Sequence, residues 1–385
     1  MFSRAKKTPV AEWWWTIDRE LLGALVLLLL CGVILSFAAS PPVAERLGLS
    51  AWHFVIRHWF FAVPALGVLI GVSFLNVRQA RVLALAILVV FIVLLVLTLL
   101  FGTAAKGSQR WISIFGFSLQ PSEFVKPAFA VIAAWLFSEK MKHPDMPAQM
   151  IAFALMALIA VLLMLQPDFG QTVLVVITWA ALLFLAGISW WVIGILMGFA
   201  GAGAGLAYLV FPHVARRIDI FINPESGDNY QMERALQSLL EGGWFGRGPG
   251  EAMVRRYVPD AHADFVFSAA AGEFGLLFCL VLVGLIGFIT LRALFLAQQQ
   301  NGLFARLAAS TLAIQFGVQS GINLAVNLNL LPPKGMTLPF VSYGGTSMLA
   351  TAFSMGLILA LTRRKPQDRL ATGIPRYRNT LAQSA

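Results

Sequence analysis

The feature that most constrains this chain is its recurring apolar runs, each long enough to cross hydrocarbon. A helix rising 1.5 Å per residue needs about 20 apolar residues to span roughly 30 Å. About ten such runs occur, near residues 21–39, 54–75, 82–102, 123–138, 149–166, 171–188, 190–211, 265–290, 304–327 and 346–362. The pair within 171–211 shares one uncharged tract, broken only by Gly187-Ile188-Ser189, which reads as a turn. Backbone N–H and C=O groups in hydrocarbon must be satisfied internally, which favours helices. The predicted fold class is therefore an all-α polytopic membrane protein. Composition agrees, because 59% hydrophobic and 12% charged residues lie far from soluble norms. The division expected is a tail at 1–20, a membrane domain at 21–362 and a tail at 363–385. Lys6, Lys7, Asp18 and Arg19 precede the first apolar run, so it reads as a retained helix and not a cleaved signal. Cys31 and Cys279 both sit in apolar runs, which argues against a disulfide framework.

Basic residues in the short loops set the orientation. Arg4, Lys6 and Lys7, then Arg78 and Arg81, Lys140 and Lys142, Arg292 and Arg306, and Arg363, Arg364 and Lys365 all fall on one side of a ten-span chain. The positive-inside rule makes that side the cytoplasm, with both termini inside. One large extracytoplasmic loop, 212–264, then separates helices 7 and 8. The net charge of +10 forms no basic stripe outside the membrane pattern, so no nucleic-acid partner is expected. The large loop carries Arg216, Arg217, Arg234, Arg247, Arg255 and Arg256 but no lysine. Arginine binds phosphate bidentately where lysine acts as a point charge, so the loop reads either as an anion-recognition surface or as an ordinary solvated one.

Four outward segments are dense in polar residues. In "GSQRWISIFGFSLQPSEFVKP", Ser122 reads as an N-cap, and Glu123 and Lys126 share a helix face and pair. Arg110 and Trp111 suit an interfacial anchor equally well. "QPDFGQ" places Asp168 in a tight turn, where a turn-forming role suffices. The large loop predicts a short amphipathic helix from about Tyr230 to Leu240. Gly242, Gly243, Gly246, Gly248 and Gly250 then follow, and glycines permit close backbone approach to a ligand. Gln315, Gln319, Asn323 and Asn327 recur every four residues as a stripe that must face protein or water. Beyond them lies an irregular segment rich in proline and glycine, tolerated at membrane depth only when buried in protein or lining a cavity. Finally, "YVPDAHADFVFSAAAGEFG" puts His262, Asp264 and Glu273 where the basic loop re-enters the membrane. An acid at that boundary is a functional candidate. Partial desolvation would raise the Asp264 pKa and neighbouring arginines would lower it; a balance that leaves it ionised yet basic is what a general base requires, and a helix N-terminal acid satisfied by the dipole is the alternative. A lone interfacial His262 reads more simply as a hydrogen-bonding spacer.

Taken together, and in this order, "GSQRWISIFGFSLQPSEFVKP", "QPDFGQ", "GGWFGRGPGE", "YVPDAHADFVFSAAAGEFG" and "LPPKGMTLPFVSYGGTS" resemble the SEDS family (shape, elongation, division and sporulation), most of all its cell-division members. The resemblance covers almost the whole chain. It implies a peptidoglycan glycosyltransferase in the bacterial inner membrane, at the division septum, with an extracytoplasmic active site that polymerises lipid II. It places the presumed base on Asp264. Substrate-binding positions then fall on Arg110, Glu123, Lys126, Arg247, Arg255, Arg256, His262, Ser342 and Tyr343. Arginine, or a divalent cation such as Mg or Mn, would stabilise the charge of the departing undecaprenyl pyrophosphate; no other cofactor is implied. Implied partners are a class B penicillin-binding protein acting as transpeptidase, other division proteins and membrane lipids. The chain departs from the family pattern at Ala263, where threonine is usual, at Gly272, where a second acid is common, at Arg256, where some members carry an acid, and at Lys334. Two other functions compete: a flippase or transporter for the lipid-linked precursor, and a division scaffold without chemistry.

Overall fold

The computed structural model describes residues 8–105, 108–114, 116–210, 215, 219, 230–248, 262–332 and 335–364. Arg4, Lys6, Lys7, Arg216, Arg217, Gly250, Arg255, Arg256, Lys334 and Lys365 of the sequence reading lie outside the described residues. The helices are α1 (Pro9–Thr16), α2 (Arg19–Ala39), α3 (Pro41–Arg46), α4 (His53–Ser73), α5 (Val77–Phe101), α6 (Pro121–Lys142), α7 (Ala148–Leu165), α8 (Phe169–Leu185), α9 (Trp190–Val210), α10 (Tyr230–Gly242), α11 (Val266–Gln298), α12 (Leu303–Asn327) and α13 (Gly345–Leu361). Each apolar run overlaps one of α2, α4–α9 and α11–α13. Among the described residues, α2, α4, α5, α7 and α11 are long and apolar enough to cross a membrane, and α8, α13 and most of α9 are shorter apolar helices.

Local chemistry explains the helix ends. Asp18 caps α2 by accepting from the Leu21 N–H at 2.9 Å, and Asn76 and Gln79 form a reciprocal capping box on α5. The turn expected at Gly187 is a Schellman stop. Gly187 has φ 76°, and the Gly187 and Ile188 N–H groups donate back to the carbonyls of Phe184 and Leu183. One expectation fails. The N-cap position of α6 is Gln120, with no side-chain capping bond, and not Ser122, because Pro121 occupies N1, where its fixed φ and missing N–H suit the first turn. Ser122 is thereby carried inside the helix and buried.

Two features set the interior. α6 is enclosed nearly all round and packs on α5, α7, α8, α12 and α13. α12 is likewise largely buried, and between them these helices bury Glu123, Lys126, Gln315, Gln319, Asn323 and Asn327. Segment 336–342 is irregular but almost wholly buried, as the hydrogen-bonding argument requires. α2 lies so close to it that a β-carbon on Gly32 would clash with the Phe340 carbonyl oxygen.

The segment between α5 and α6 is more ordered than its sequence suggested. β1 (Thr103–Ala105), β2 (Ser108–Ile114) and β3 (Phe117–Leu119) form a three-stranded antiparallel sheet in the order β1-β2-β3. Arg110 stands on its central strand. At the opposite end of the bundle, Asp18 pairs with Arg292 at 2.7 Å, Trp13 donates to Ser73 Oγ at 2.8 Å, and Arg363 donates to Thr16 Oγ1 at 3.0 Å. These bonds gather the C-terminal half of α1, the start of α2 and the ends of α4, α11 and α13.

Candidate active site

The site is built on the α6–α12 contact. Lys126 Nζ lies 3.0 Å from Glu123 Oε2 and 3.2 Å from Gln319 Oε1, and Gln171 Nε2 of α8 donates to Glu123 Oε1 at 2.7 Å. All four side chains are buried. Two charges taken out of water hold together only when further hydrogen bonds satisfy them, and Gln171 and Gln319 supply those bonds. Gln319 Nε2 also donates to the Thr337 carbonyl at 3.3 Å, which ties the ion pair to the irregular segment after α12. A small cavity lined by Glu123, Lys126, Gln315, Gln319, Thr351 and Ser354 opens beside the pair.

A second pair lies toward the sheet. Arg110 Nη1 is 3.5 Å from Asp168 Oδ1, and Arg110 also donates to the Pro167 carbonyl. Asp168 occupies the turn between α7 and α8 and caps α8 through the Gln171 N–H. Burial pushes the Asp168 carboxyl above its ordinary value, and the Arg110 guanidinium pulls it back.

Asp264 stands two residues ahead of α11, half-exposed at the mouth of this polar interior. Its backbone carbonyl accepts from Asn323 Nδ2 at 3.1 Å and from Asn327 Nδ2 at 2.9 Å. Asn323 also donates to the Met336 carbonyl at 2.6 Å, and Asn327 Oδ1 accepts from the Ser268 N–H at 3.0 Å. The amide stripe of α12 thus faces protein and fixes the turn that presents Asp264. On the other side, the Tyr343 N–H donates to the His262 carbonyl at 2.8 Å, and the His262 ring stacks on Phe54 with 4.5 Å between centroids. A β-carbon on Gly335 would lie 3.7 Å from Arg110 Nη1 and 3.9 Å from Asp264 Oδ2. The guanidinium and the carboxylate therefore flank one exposed backbone position.

Gly242 and Gly246 of the large loop approach the protein's own helix, while a β-carbon on Gly243 would meet open space. α11 is broken at Gly275, where φ is 80° and ψ 177°. The 243–248 turn docks on that break: the Arg247 N–H donates to the Gly272 carbonyl at 3.0 Å and the Gly248 N–H to the Glu273 carbonyl at 3.1 Å. A β-carbon at Gly242 would clash with the Ala271 carbonyl oxygen and approach Gly272 Cα at 3.0 Å. At Gly246, φ 80°, it would clash with the Glu273 carbonyl oxygen. Arg247 itself is exposed and donates to the Glu241 carbonyl at 3.0 Å, closing the end of α10.

The model of the FtsW/RodA/SpoVE family of cell cycle proteins matches residues 19–367. The chain belongs to this family. It is 44% identical to the probable peptidoglycan glycosyltransferase FtsW of Caulobacter vibrioides (strain NA1000 / CB15N), over 97% of this chain and 96% of that one. The probable peptidoglycan glycosyltransferase FtsW of Alcanivorax borkumensis is 34% identical, over 89% and 92%. Among solved structures, a chain from a peptidoglycan synthase complex that coordinates polymerisation and crosslinking superposes with a TM-score of 0.73 at 27% identity, over 92% of this chain and 99% of that one. A mutant of the rod shape determining protein RodA of Thermus thermophilus gives 0.66 at 25% identity, over 91% and 98%.

Within this FtsW/RodA/SpoVE chain the residues singled out from sequence occupy distinct places. Arg110, Asp264, His262 and Tyr343 converge on the mouth. Glu123 and Lys126 lie deeper and reach it through Gln319. Ser342 is buried and accepts from the Leu338 N–H at 2.8 Å, so it shapes the irregular segment from inside. Arg247 lies apart, on the docked turn. Sequence reasoning left Asp168, Gln171, Gln319, Asn323 and Asn327 out of the site. The "QPDFGQ" turn and the four-residue amide spacing were the visible signals for all five. Among the described residues no three His, Cys, Asp or Glu side chains cluster to hold a metal ion. The departure at Gly272 has a steric counterpart, because Gly242 presses against it. Replacing Gly246 with alanine should cost more than about 3 kcal/mol, since it combines a left-handed backbone with a clash against a carbonyl. A melting temperature within about 0.5 °C of the parent protein (about 0.5 kcal/mol or less) would contradict the docked geometry.

Proposed function

We propose that the chain is a peptidoglycan glycosyltransferase that polymerises lipid II at the outer face of the cytoplasmic membrane during cell division. The observation that carries this reading is Asp264 and Arg110 flanking one exposed position, with the Asp264 turn locked by Asn323 and Asn327. A base must be held within reach of its proton by groups that do not move. Asp264 takes the proton of the acceptor sugar's 4-hydroxyl. The freed oxygen attacks the anomeric carbon of the donor MurNAc, and the bond to undecaprenyl pyrophosphate breaks. One protein base suffices, because pyrophosphate departs as a stable anion. Arg110 stands where developing negative charge gains most from a fixed guanidinium. Arg255 and Arg256 belong to the same proposal as further pyrophosphate contacts.

Ten crossings with both termini cytoplasmic and the loop at 212–264 outside belong to the proposal too, an orientation that the basic short loops support and that would put this mouth where a lipid-linked sugar lies. The solved relative from a synthase complex supports a class B penicillin-binding protein as partner, and its division-protein relatives support action at the septum. The buried Glu123–Lys126 pair favours one competing reading, a transporter with a polar path through the bundle. Purified protein in vesicles, alone and with its transpeptidase, decides between them. Lipid II should be converted to glycan polymer with release of undecaprenyl pyrophosphate. Translocation of lipid II without polymer would overturn the proposal in favour of transport.

A further inference from the structure

α10 and the turn after it carry an apolar surface that the described part of the bundle leaves uncovered. α10 buries Met232, Ala235 and Ser238 and packs on α11. Its outward face is split lengthwise. Leu236 and Leu240, four residues apart, form one stripe that runs on into Trp244 and Phe245, which are 61% and 82% exposed. Glu233, Gln237 and Glu241 form the neighbouring stripe, laced by a bond from Gln237 Nε2 to Glu241 Oε1 at 3.0 Å. A helix with one protein-packed side, one apolar stripe and one polar stripe suits the plane between lipid and water. Exposed aromatic side chains suit the same depth. The apolar stripe is also continuous with an exposed apolar face of α11, a helix long and apolar enough to cross a membrane. Leu277 N–H donates to the Trp244 carbonyl at 3.2 Å and Leu276 N–H to the Gly243 carbonyl at 2.9 Å, and Leu276, Leu277 and Leu280 point outward from the membrane-crossing part of α11.

We propose that Leu240, Trp244 and Phe245 are seated in the headgroup–acyl boundary of the bilayer, and that this lipid contact sets the height of Asp264 relative to the membrane. The link is mechanical. The backbone bonds from Arg247 and Gly248 clamp the turn to Gly272 and Glu273, at the end of the buried stretch that starts just after Asp264. The aromatic pair therefore acts as a positioning element for the base. The seating itself stands on geometry alone; only its catalytic consequence rests on the glycosyltransferase reading.

A nitroxide at Phe245→Cys tests the seating, in the full-length protein with Cys31 and Cys279 replaced by alanine, in vesicles of phosphatidylethanolamine and phosphatidylglycerol. Oxygen should relax the label and a water-soluble nickel chelate should not, at a depth of about 5–10 Å. Free access by the nickel chelate would place the turn in water. Shielding from both reagents would place it beneath another protein surface. Either result overturns the proposal. For the positioning role, Phe245→Asp should slow polymer formation about tenfold without lowering the melting temperature in detergent, and Phe245→Trp should restore the rate. An unchanged rate in Phe245→Asp overturns that role. A lipid-seated label on a protein that makes no polymer counts against glycosyl transfer and leaves the seating intact.

Discussion

Asp264→Asn is expected to cut polymerisation of lipid II by about 10²–10⁴-fold, the range in which a positioned general base contributes. The amide keeps the size of the carboxylate but removes its negative charge and its capacity to take a proton. The turn should survive, because Asn323 and Asn327 hold the backbone carbonyl of residue 264 and not its side chain. Binding of lipid II should therefore change little, while turnover falls. The measurement is polymer length and released undecaprenyl pyrophosphate against time, beside a binding isotherm on the same preparation. Full turnover by Asp264→Asn would remove Asp264 from the chemistry and leave the polymerisation to another base.

The second large effect concerns stability. Lys126→Met should destabilise the bundle by about 3–5 kcal/mol, because it strands the buried Glu123 carboxylate. Gln171 would still donate to it at Oε1, but nothing would replace the 3.0 Å contact to the ammonium. Adding Glu123→Gln to Lys126→Met should recover much of the loss, since the stranded charge then disappears. A double-mutant cycle on melting in detergent reads the coupling directly. Additive losses would mean that the two charges do not depend on one another as this geometry requires. Activity should fall in the single variant as well, because Gln319 joins Lys126 to the Thr337 carbonyl in the segment below the mouth.

Much of this site was legible along the chain because it rests on local spacing. Glu123 and Lys126 are three residues apart and pair across one helical turn. The four-residue amide repeat of α12 announced an inward face, and an acid where a basic loop meets a membrane helix drew attention to Asp264. What stayed hidden was contact over long separation. Asp168 read as a turn residue because its ion pair with Arg110 joins positions on either side of α6 and α7. The large loop's glycines suggested room for a ligand. Gly242 and Gly246 instead admit the backbone of α11, at a break that the apolar run 265–290 does not betray.

By itself the sequence determined the class of molecule, the helices and the acid on which the chemistry is proposed to turn. Those follow from hydrophobic length and periodicity, which act over tens of residues and need no knowledge of neighbours. Only the tertiary structure decided which amides hold Asp264, that Arg110 faces it across Gly335, and that the loop turn is clamped to a broken helix. Those depend on groups far apart in the chain meeting at bonding distance, where desolvated charges and buried carbonyls must each find a partner.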